Sequence, residues 1–251
     1  MYRNDWHQAH QEKTRLSADL VAALIRRYFA VESVLDVGCG HGDWLKRFVD
    51  LGVEDVFGCD GPWTDQQALL IPKDRFATQD FRQPFSLGRS FDLIISTEVA
   101  EHFEERYAEQ FIRSIVAHGD LVLFGAAIPY QGGFRHVNEQ WPSWWAQLFR
   151  RSGYEAFDIV RPAVWEDPHV HFWYKQNALV YVKAARADLV VQAEEAFRAV
   201  AKPSQRLDLV HPEKFVELAS YRSIAFKPLA RQLPRAVSSK LRSLLTGGRP
   251  A

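Results

Sequence analysis

Cysteine is scarce in this 251-residue chain, with two residues, Cys39 and Cys59. Each sits among apolar and glycine residues at the end of an expected strand. They read as small buried thiols in a reducing compartment, not as a disulfide framework or a zinc site. Net charge is missing as well. Thirty-one basic residues balance 31 acidic ones, so nucleic acid is not the default partner. No apolar run approaches the roughly 18 residues that a membrane-spanning helix needs. The opening Met1-Tyr2-Arg3-Asn4-Asp5-Trp6 has no apolar stretch of the secretory kind, and a cytoplasmic location is the expectation. There is no internal repeat and no low-complexity tract.

Acid is absent from the last thirty residues. From Arg222 onward the charges are Arg222, Lys227, Arg231, Arg235, Lys240, Arg242 and Arg249, with Pro228, Pro234 and Pro250 among them. Val237, Leu241, Leu244 and Leu245 follow a roughly helical spacing. Two readings stand side by side: a short basic amphipathic helix touching anionic lipid or an acidic partner, and a solvated terminus.

What is present begins with Val34-Leu35-Asp36-Val37-Gly38-Cys39-Gly40-His41-Gly42. An apolar run ends in an acid, and three glycines follow at alternate positions. The pattern predicts a buried strand turning sharply into a helix, with backbone bared for a ligand. Further strands are expected at 33–37, 55–59, 75–78, 91–96, 121–125, 155–160 and 178–182, the last two antiparallel. Helices are expected at 17–28, 42–51, 65–70, 103–117, 140–151, 187–200 and 211–218. In the 103–117 helix Phe111, Ile112 and Ile115 should face inward, and in the 140–151 helix Trp144, Leu148 and Phe149. This alternation predicts an α/β fold, a doubly wound, mostly parallel seven-stranded sheet covered on both faces. The expected organisation is one domain over residues 1–184, a helical appendage over 185–221 and a basic tail over 222–251.

Ligands of such sheets bind beyond the carboxyl ends of the strands. The first strand carries Asp36 and the glycine turn. The second ends at Asp60-Gly61, and a carboxylate there can accept two hydrogen bonds from a ribose diol. The third is followed by Asp80-Phe81, an acid for an adenine amino group beside a ring for stacking. Three successive strand ends, each delivering an acid, describe a nucleoside site.

On these residues the chain resembles the class I S-adenosylmethionine-dependent methyltransferases over about residues 20–183. The match is Asp36-Val-Gly38-Cys-Gly40-His-Gly42, then Asp60, Asp80 and the Phe91–Ser96 run in the family's order. The resemblance implies a Rossmann-like fold and S-adenosyl-L-methionine as cofactor. It implies that Gly38 and Gly40 lie against the methionine part, Asp60 and Gly61 at the ribose, Asp80 and Phe81 at the adenine, and Thr97 near the cofactor.

Methyl transfer to a hydroxyl also needs alignment and proton management. After the fourth strand comes Ser96-Thr97-Glu98-Val99-Ala100-Glu101-His102. If a helix starts there, Glu98, Glu101 and His102 share one face. After the fifth strand, Pro129–Glu139 brings His136 within reach of His102. Two carboxylates and two imidazoles suit a divalent cation such as Mg or Mn. The same residues also fit a metal-free role, with His102 or His136 as general base beside Glu101, or a purely structural one. The Glu-x-x-Glu-His pattern resembles the ubiquinone-pathway O-methyltransferases and the small-RNA 3′-end 2′-O-methyltransferases, and that resemblance implies metal dependence.

Residues 141–174 hold Trp141, Trp144, Trp145, Trp165 and Trp173. The His136-Val-Asn-Glu-Gln-Trp-Pro142 and Trp165-Glu-Asp-Pro168 runs mix aromatic faces with polar groups, as a sugar site would. Those runs resemble bacterial methyltransferases linked to glycan assembly, which implies O-methylation of a sugar or glycan hydroxyl. The alternatives are a catechol-like or quinone-precursor acceptor, a small RNA, and a cofactor-binding subunit without turnover. The neutral charge weighs against RNA.

Overall fold

Five short apolar segments pair side by side in parallel and fix the frame of the molecule. They are β1 (Ser33–Val37), β2 (Asp55–Asp60), β3 (Phe76–Thr78), β4 (Leu93–Thr97) and β5 (Leu121–Gly125). β6 (Tyr154–Phe157) and β7 (Leu179–Lys183) complete a seven-stranded sheet of order β3-β2-β1-β4-β5-β7-β6. β7 runs antiparallel to both β5 and β6. The expected doubly wound sheet is therefore present. This is a computed structural model; it describes residues 2–200 and 207–219.

Parallel strands need crossovers, and the helices supply them. α1 (Tyr2–Tyr28) and α2 (Asp43–Asp50) lie on one face; α3 (Ala108–Val116) and α4 (Pro142–Arg151) lie on the other. Strand side chains alternate between the two cores. Val34, Leu93, Ile95, Leu123 and Val180 enter the first, and Leu35, Ile94, Val122, Phe124 and Leu179 enter the second. A sheet buried on both faces needs near-continuous apolar strands, and Leu-Val-Leu-Phe in β5 is such a run.

Strand order reverses between β1 and β4, which leaves a crevice at their carboxyl ends.

Several elements differ from expectation. No helix forms over 65–70. Asp65 instead accepts the Gln67 N–H at 2.9 Å, a local bond that closes a turn and competes with helix. The expected helix from Phe103 starts at Ala108, because Phe103 is extended and packs on Phe111 with ring centroids 4.8 Å apart. In α4 Trp145, not Trp144, is the fully buried tryptophan beside Leu148 and Phe149. The strand expected at 155–160 ends at Phe157, and β6 and β7 are not joined as a hairpin. Two unforeseen helices, α5 (Val160–Val164) and α6 (Phe172–Asn177), lie between them.

Arg161 of α5 is fully buried. It donates both arms of its fork to Asp158 at 2.8 and 2.7 Å, and its remaining amine to the Gln176 and Leu207 carbonyls at 3.2 and 2.6 Å. A buried guanidinium is tolerated only when paired in this way. The bonds tie α5, α6 and the chain beyond α7 (Ala187–Ala199) together.

The chain divides into two compact units, residues 1–209 and 210–251. α7 packs on β6, β7 and α1 within the first, so no break falls at the expected 184/185 boundary. Of the second unit, α8 (Pro212–Ala219) is described. The basic tail from Arg222 lies outside the described residues. Among the described residues, no helix is long and apolar enough to cross a membrane.

Candidate active site

The first half of the site is made of backbone. After β1 the chain enters the left-handed region at Gly38 (φ 88°), Gly40 (φ 55°) and Gly42 (φ 90°). A Cβ on Gly38 would come within 2.2 Å of the Val99 side chain, so glycine is required on two counts there. The Gly38 and Cys39 N–H groups both donate to the Cys59 carbonyl, at 2.8 and 3.2 Å, which pins the turn to β2. Asp60 closes the cradle. Its carboxylate accepts the Gly40 N–H at 2.7 Å and the Gly61 N–H at 2.6 Å. Each oxygen keeps a lone pair for a ligand hydroxyl.

Asp36 lies beneath this turn, 3% exposed, and its Oδ2 has no hydrogen-bond partner. Burial, then the neighbouring Asp60, hold its carboxyl well above the usual range. An orphaned buried acceptor at a glycine cradle asks for a cationic ligand. The ammonium and sulfonium of S-adenosylmethionine fit that request. Cys39 and Cys59 are free and buried, and burial pushes both thiols up, so neither is a ready nucleophile.

The third strand end departs from expectation. Asp80 spends its carboxylate on Arg82, accepting the guanidinium at 2.9 Å on each oxygen and the Arg82 backbone N–H at 3.0 Å. Phe81 is committed to the core against Phe85 and Phe111. The free aromatic face at this corner is Trp63, 77% exposed, whose indole lies over Gly61.

The second half of the site is made of side chains. β4 ends at Thr97, which pairs with Gly125, and Glu98 then turns left-handed (φ 57°). A non-glycine residue held there marks strain that the surroundings enforce. The turn sends Glu98 away from Glu101 and His102, so the three do not share a helical face. Only a single 3-10 turn, Ala100–His102, forms. Glu98 instead accepts from Gln131 Nε2 and Asn177 Nδ2, both at 2.8 Å. Burial raises it to about 7, against the lowering pull of those two amides. Gly125 permits this approach, since a Cβ there would meet the Asn177 backbone at 3.2 Å. Gln176 and Asn177 also donate to Gln131 Oε1 at 3.0 Å each, which completes a buried polar net.

Glu101, His102 and His136 do come together. One ligand atom from each lies within 4.8 Å of the others. The two imidazoles meet edge to face with centroids 5.0 Å apart, and His136 Nε2 is 4.0 Å from Glu101 Oε1. Glu101 is fully buried, and neither of its oxygens makes a full hydrogen bond, although the Glu101 and Ala127 backbone N–H groups lie near enough to pull its pKa down a little. Burial, then the Glu98 charge, hold its carboxyl far above the usual range. Partial burial and His136 hold His102 below its ordinary value, so the ring stays neutral. The Glu101 carbonyl accepts the Val137 and Asn138 N–H groups at 2.8 and 3.1 Å, locking the His136 loop onto the turn after β4.

A buried carboxyl beside two imidazole rings, without a full hydrogen bond of its own, calls for a proton or a cation. The expected four-residue ligand set is thus corrected to three. Glu101, His102 and His136 fit a divalent cation with oxygen and imidazole ligands; Glu98 stays with Gln131 and Asn177.

The sequence pattern assigned no individual role to Glu139, Gln131, Asn177 and Trp63, although Gln131 and Glu139 lie in the Pro129–Glu139 cluster. Glu139 stands three residues after His136, a spacing that offers a carboxylate to a histidine, and this was the available signal. The amide partners of Glu98 left none, because the distance from Glu98 to Asn177 is closed only by the fold. Trp165 and Trp173, taken with the sugar-site residues, belong elsewhere. Trp165 follows α5, which packs on α1, and Trp173 stacks on His171 with centroids 3.7 Å apart.

Residues 6–162 match the family model described as a methyltransferase domain. A ribosomal protein L11 methyltransferase of Laribacter hongkongensis is 28% identical over 119 residues, 45% of this chain and 38% of that protein's length. The chain thus aligns with well under half of that relative. Among solved structures, the sugar N-methyltransferase KedS8 of Streptoalloteichus superposes with a TM-score of 0.55 at 13% identity, covering 73% of this chain and 92% of that one. Magnesium protoporphyrin IX methyltransferase of Synechocystis, with S-adenosylhomocysteine bound, gives 0.51 at 19% identity, covering 73% and 87%. At such identities the likeness shows the fold.

Proposed function

The chain belongs to the methyltransferase domain family, and on that premise we propose that it methylates a sugar or glycan hydroxyl with the help of a divalent cation. That it is an S-adenosylmethionine-dependent methyltransferase follows from the family. One observation carries the acceptor and the cation: Glu101 is fully buried, neither of its oxygens makes a full hydrogen bond, and both lie in a space shared with His102 and His136.

The chemistry follows from the two halves. Asp36 and the glycine turn hold the methionine part, and Asp60 holds the ribose. An acceptor oxygen attacks the sulfonium methyl carbon in line. The carbon–sulfur bond breaks, S-adenosylhomocysteine remains, and the hydroxyl proton passes to water. A divalent cation, when bound, supplies Lewis acidity that lowers the pKa of the attacked hydroxyl. Glu101, His102 and His136 are the residues that would hold it. A vicinal diol, able to offer two oxygens, is the acceptor chemistry this suits.

The rim supports a sugar. Tyr130 (81% exposed), Phe134 (80%) and Trp141 (37%) all stand on the loop that carries His136. Exposed aromatic faces beside carboxylates and amides suit ring C–H faces and hydroxyls together. Incubation with radiolabelled S-adenosylmethionine and a panel of nucleotide sugars, free glycans, catechols and short RNAs tests the reading. Chelator-sensitive label on sugars is the expected result. Turnover of catechols or RNA with sugars inert would overturn the acceptor; full activity in excess chelator would overturn the cation.

A further inference from the structure

Glu139 is not among the three candidate ligands, yet two backbone N–H groups and one imidazole nitrogen converge on it. It accepts the Tyr130 N–H at 2.8 Å and the Gly132 N–H at 2.6 Å, and its Oε1 lies 3.1 Å from His136 Nδ1. Its side chain is largely buried, at 20% exposure. The loop it gathers is conformationally costly. Tyr130 (φ 69°) and Arg135 (φ 60°) are left-handed without being glycine, and Gly132 (φ 68°) and Gly133 (φ 159°) share that half of the map. A Cβ on Gly133 would strike the His136 ring at 2.2 Å. Such a loop persists only where its surroundings over-determine it, and the Glu139 carboxylate is what its N–H groups share.

We propose that Glu139 is a positioning residue: it holds the 130–136 loop in its strained form and keeps the His136 proton on Nδ1, so that Nε2 faces Glu101 as a bare donor atom. This deepens the reading of the site as a cation centre and rests on it. A neutral imidazole carries one N–H and one lone pair. With Nδ1 donating to a carboxylate, the lone pair is on Nε2, the atom 4.0 Å from Glu101. Carboxylates behind histidine ligands orient the ring and raise its basicity, and their loss usually costs 10- to 100-fold in metal affinity. The same carboxylate holds the Tyr130 and Gly132 backbone, so it couples the geometry of that part of the rim to that of the donor atom.

The test compares the full chain with Glu139→Gln and Glu139→Ala. Nitrogen-15 NMR of the imidazoles, with His136 assigned through its Ala variant, reports which nitrogen carries the proton. Titration with Mn²⁺ in the presence of S-adenosylhomocysteine reports the affinity of the centre. In the native chain His136 is expected as the Nδ1–H form. Glu139→Ala should mix the tautomers and weaken Mn²⁺ binding about 10- to 100-fold, with S-adenosylhomocysteine affinity unchanged. Glu139→Gln keeps the size and one acceptor oxygen, so it should fold and show a smaller loss in the same direction. A native tautomer ratio in both variants would overturn the proposal. Native chain that takes up no Mn²⁺ would overturn the cation reading instead, and the tautomer measurement would still decide the role of Glu139.

Discussion

The two halves of the crevice are built on opposite plans. At the ends of β1 and β2 the backbone does most of the work: glycines at positive φ, two N–H groups on one carbonyl, and an Asp60 carboxylate already occupied by Gly40 and Gly61. At the ends of β4 and β5 side chains dominate. Three carboxylates and two imidazoles crowd together, neither Glu101 oxygen makes a full hydrogen bond, and three non-glycine residues are left-handed. The cradle leaves a single orphaned acceptor, Asp36 Oδ2, beside the bonds that Asp60 and the turn already make. The acid cluster leaves more undone, and it becomes complete only when a proton or a cation arrives. The cofactor half therefore looks built for binding, and the acceptor half stores cost for chemistry.

The sharpest way to separate them is Glu101→Gln. Turnover should fall about a thousandfold, within the range for losing an essential acid–base or metal-ligating group. S-adenosylhomocysteine affinity should hold, and the melting temperature should hold or rise, because a buried charge demand is removed. A parallel loss of stability and cofactor binding would mean that Glu101 is structural.

Gly38→Ala strikes the other half. A Cβ in the left-handed region, set against Val99, should cost about 3 kcal/mol in stability, from strain and overpacking together. S-adenosylhomocysteine binding should be lost with it, as calorimetry and thermal melting would show. Undiminished binding would contradict a backbone-built cradle.

The acids also predict a pH dependence. Glu98 sits at about 7 in the folded chain, above its ordinary value. The folded state therefore holds a proton that the unfolded state releases, so Glu98 favours folding at low pH. That contribution is lost as pH rises toward 7. His102 and His118 are held low and push the other way. The readout is the difference in melting temperature between native chain and Glu98→Gln across pH 5 to 8. That difference should grow in favour of the variant as pH rises; a constant difference would exclude the buried proton.

The smallest effect is expected at the rim. Phe134→Ala removes one exposed face and should raise the acceptor KM about fivefold, the worth of roughly 1 kcal/mol of aromatic contact, with kcat and cofactor affinity unchanged. No change on any sugar acceptor would remove the rim from the recognition surface.

The same contrast explains what the sequence revealed. Strands β1, β2, β4 and β5 and the glycine turn were legible because their signals are local: apolar runs, an acid, and glycines at alternate positions. Glu101, His102 and His136 were legible as a chemical group because strands four and five are neighbours. Their geometry was not. The expected helical face fails at Glu98, where the pull of Gln131 and Asn177 outweighs helical preference and turns the chain left-handed. Asp80 was placed at the right strand end, but Arg82, two residues on, claims its carboxylate. Helices α5 and α6 carry Pro162 and short aromatic runs that show no clear period, and packing on the rest of the fold stabilises them.

The central claim is that Glu101, His102 and His136 form a cation centre beside an S-adenosylmethionine cradle. Calorimetric titration of Mn²⁺ into the chain saturated with S-adenosylhomocysteine, beside His136→Ala, tests it most directly. The account predicts uptake of one cation by the native chain, its loss in the variant, and equal cofactor binding by both. Native chain that binds cofactor and no cation, or a variant that binds the cation equally well, would contradict it.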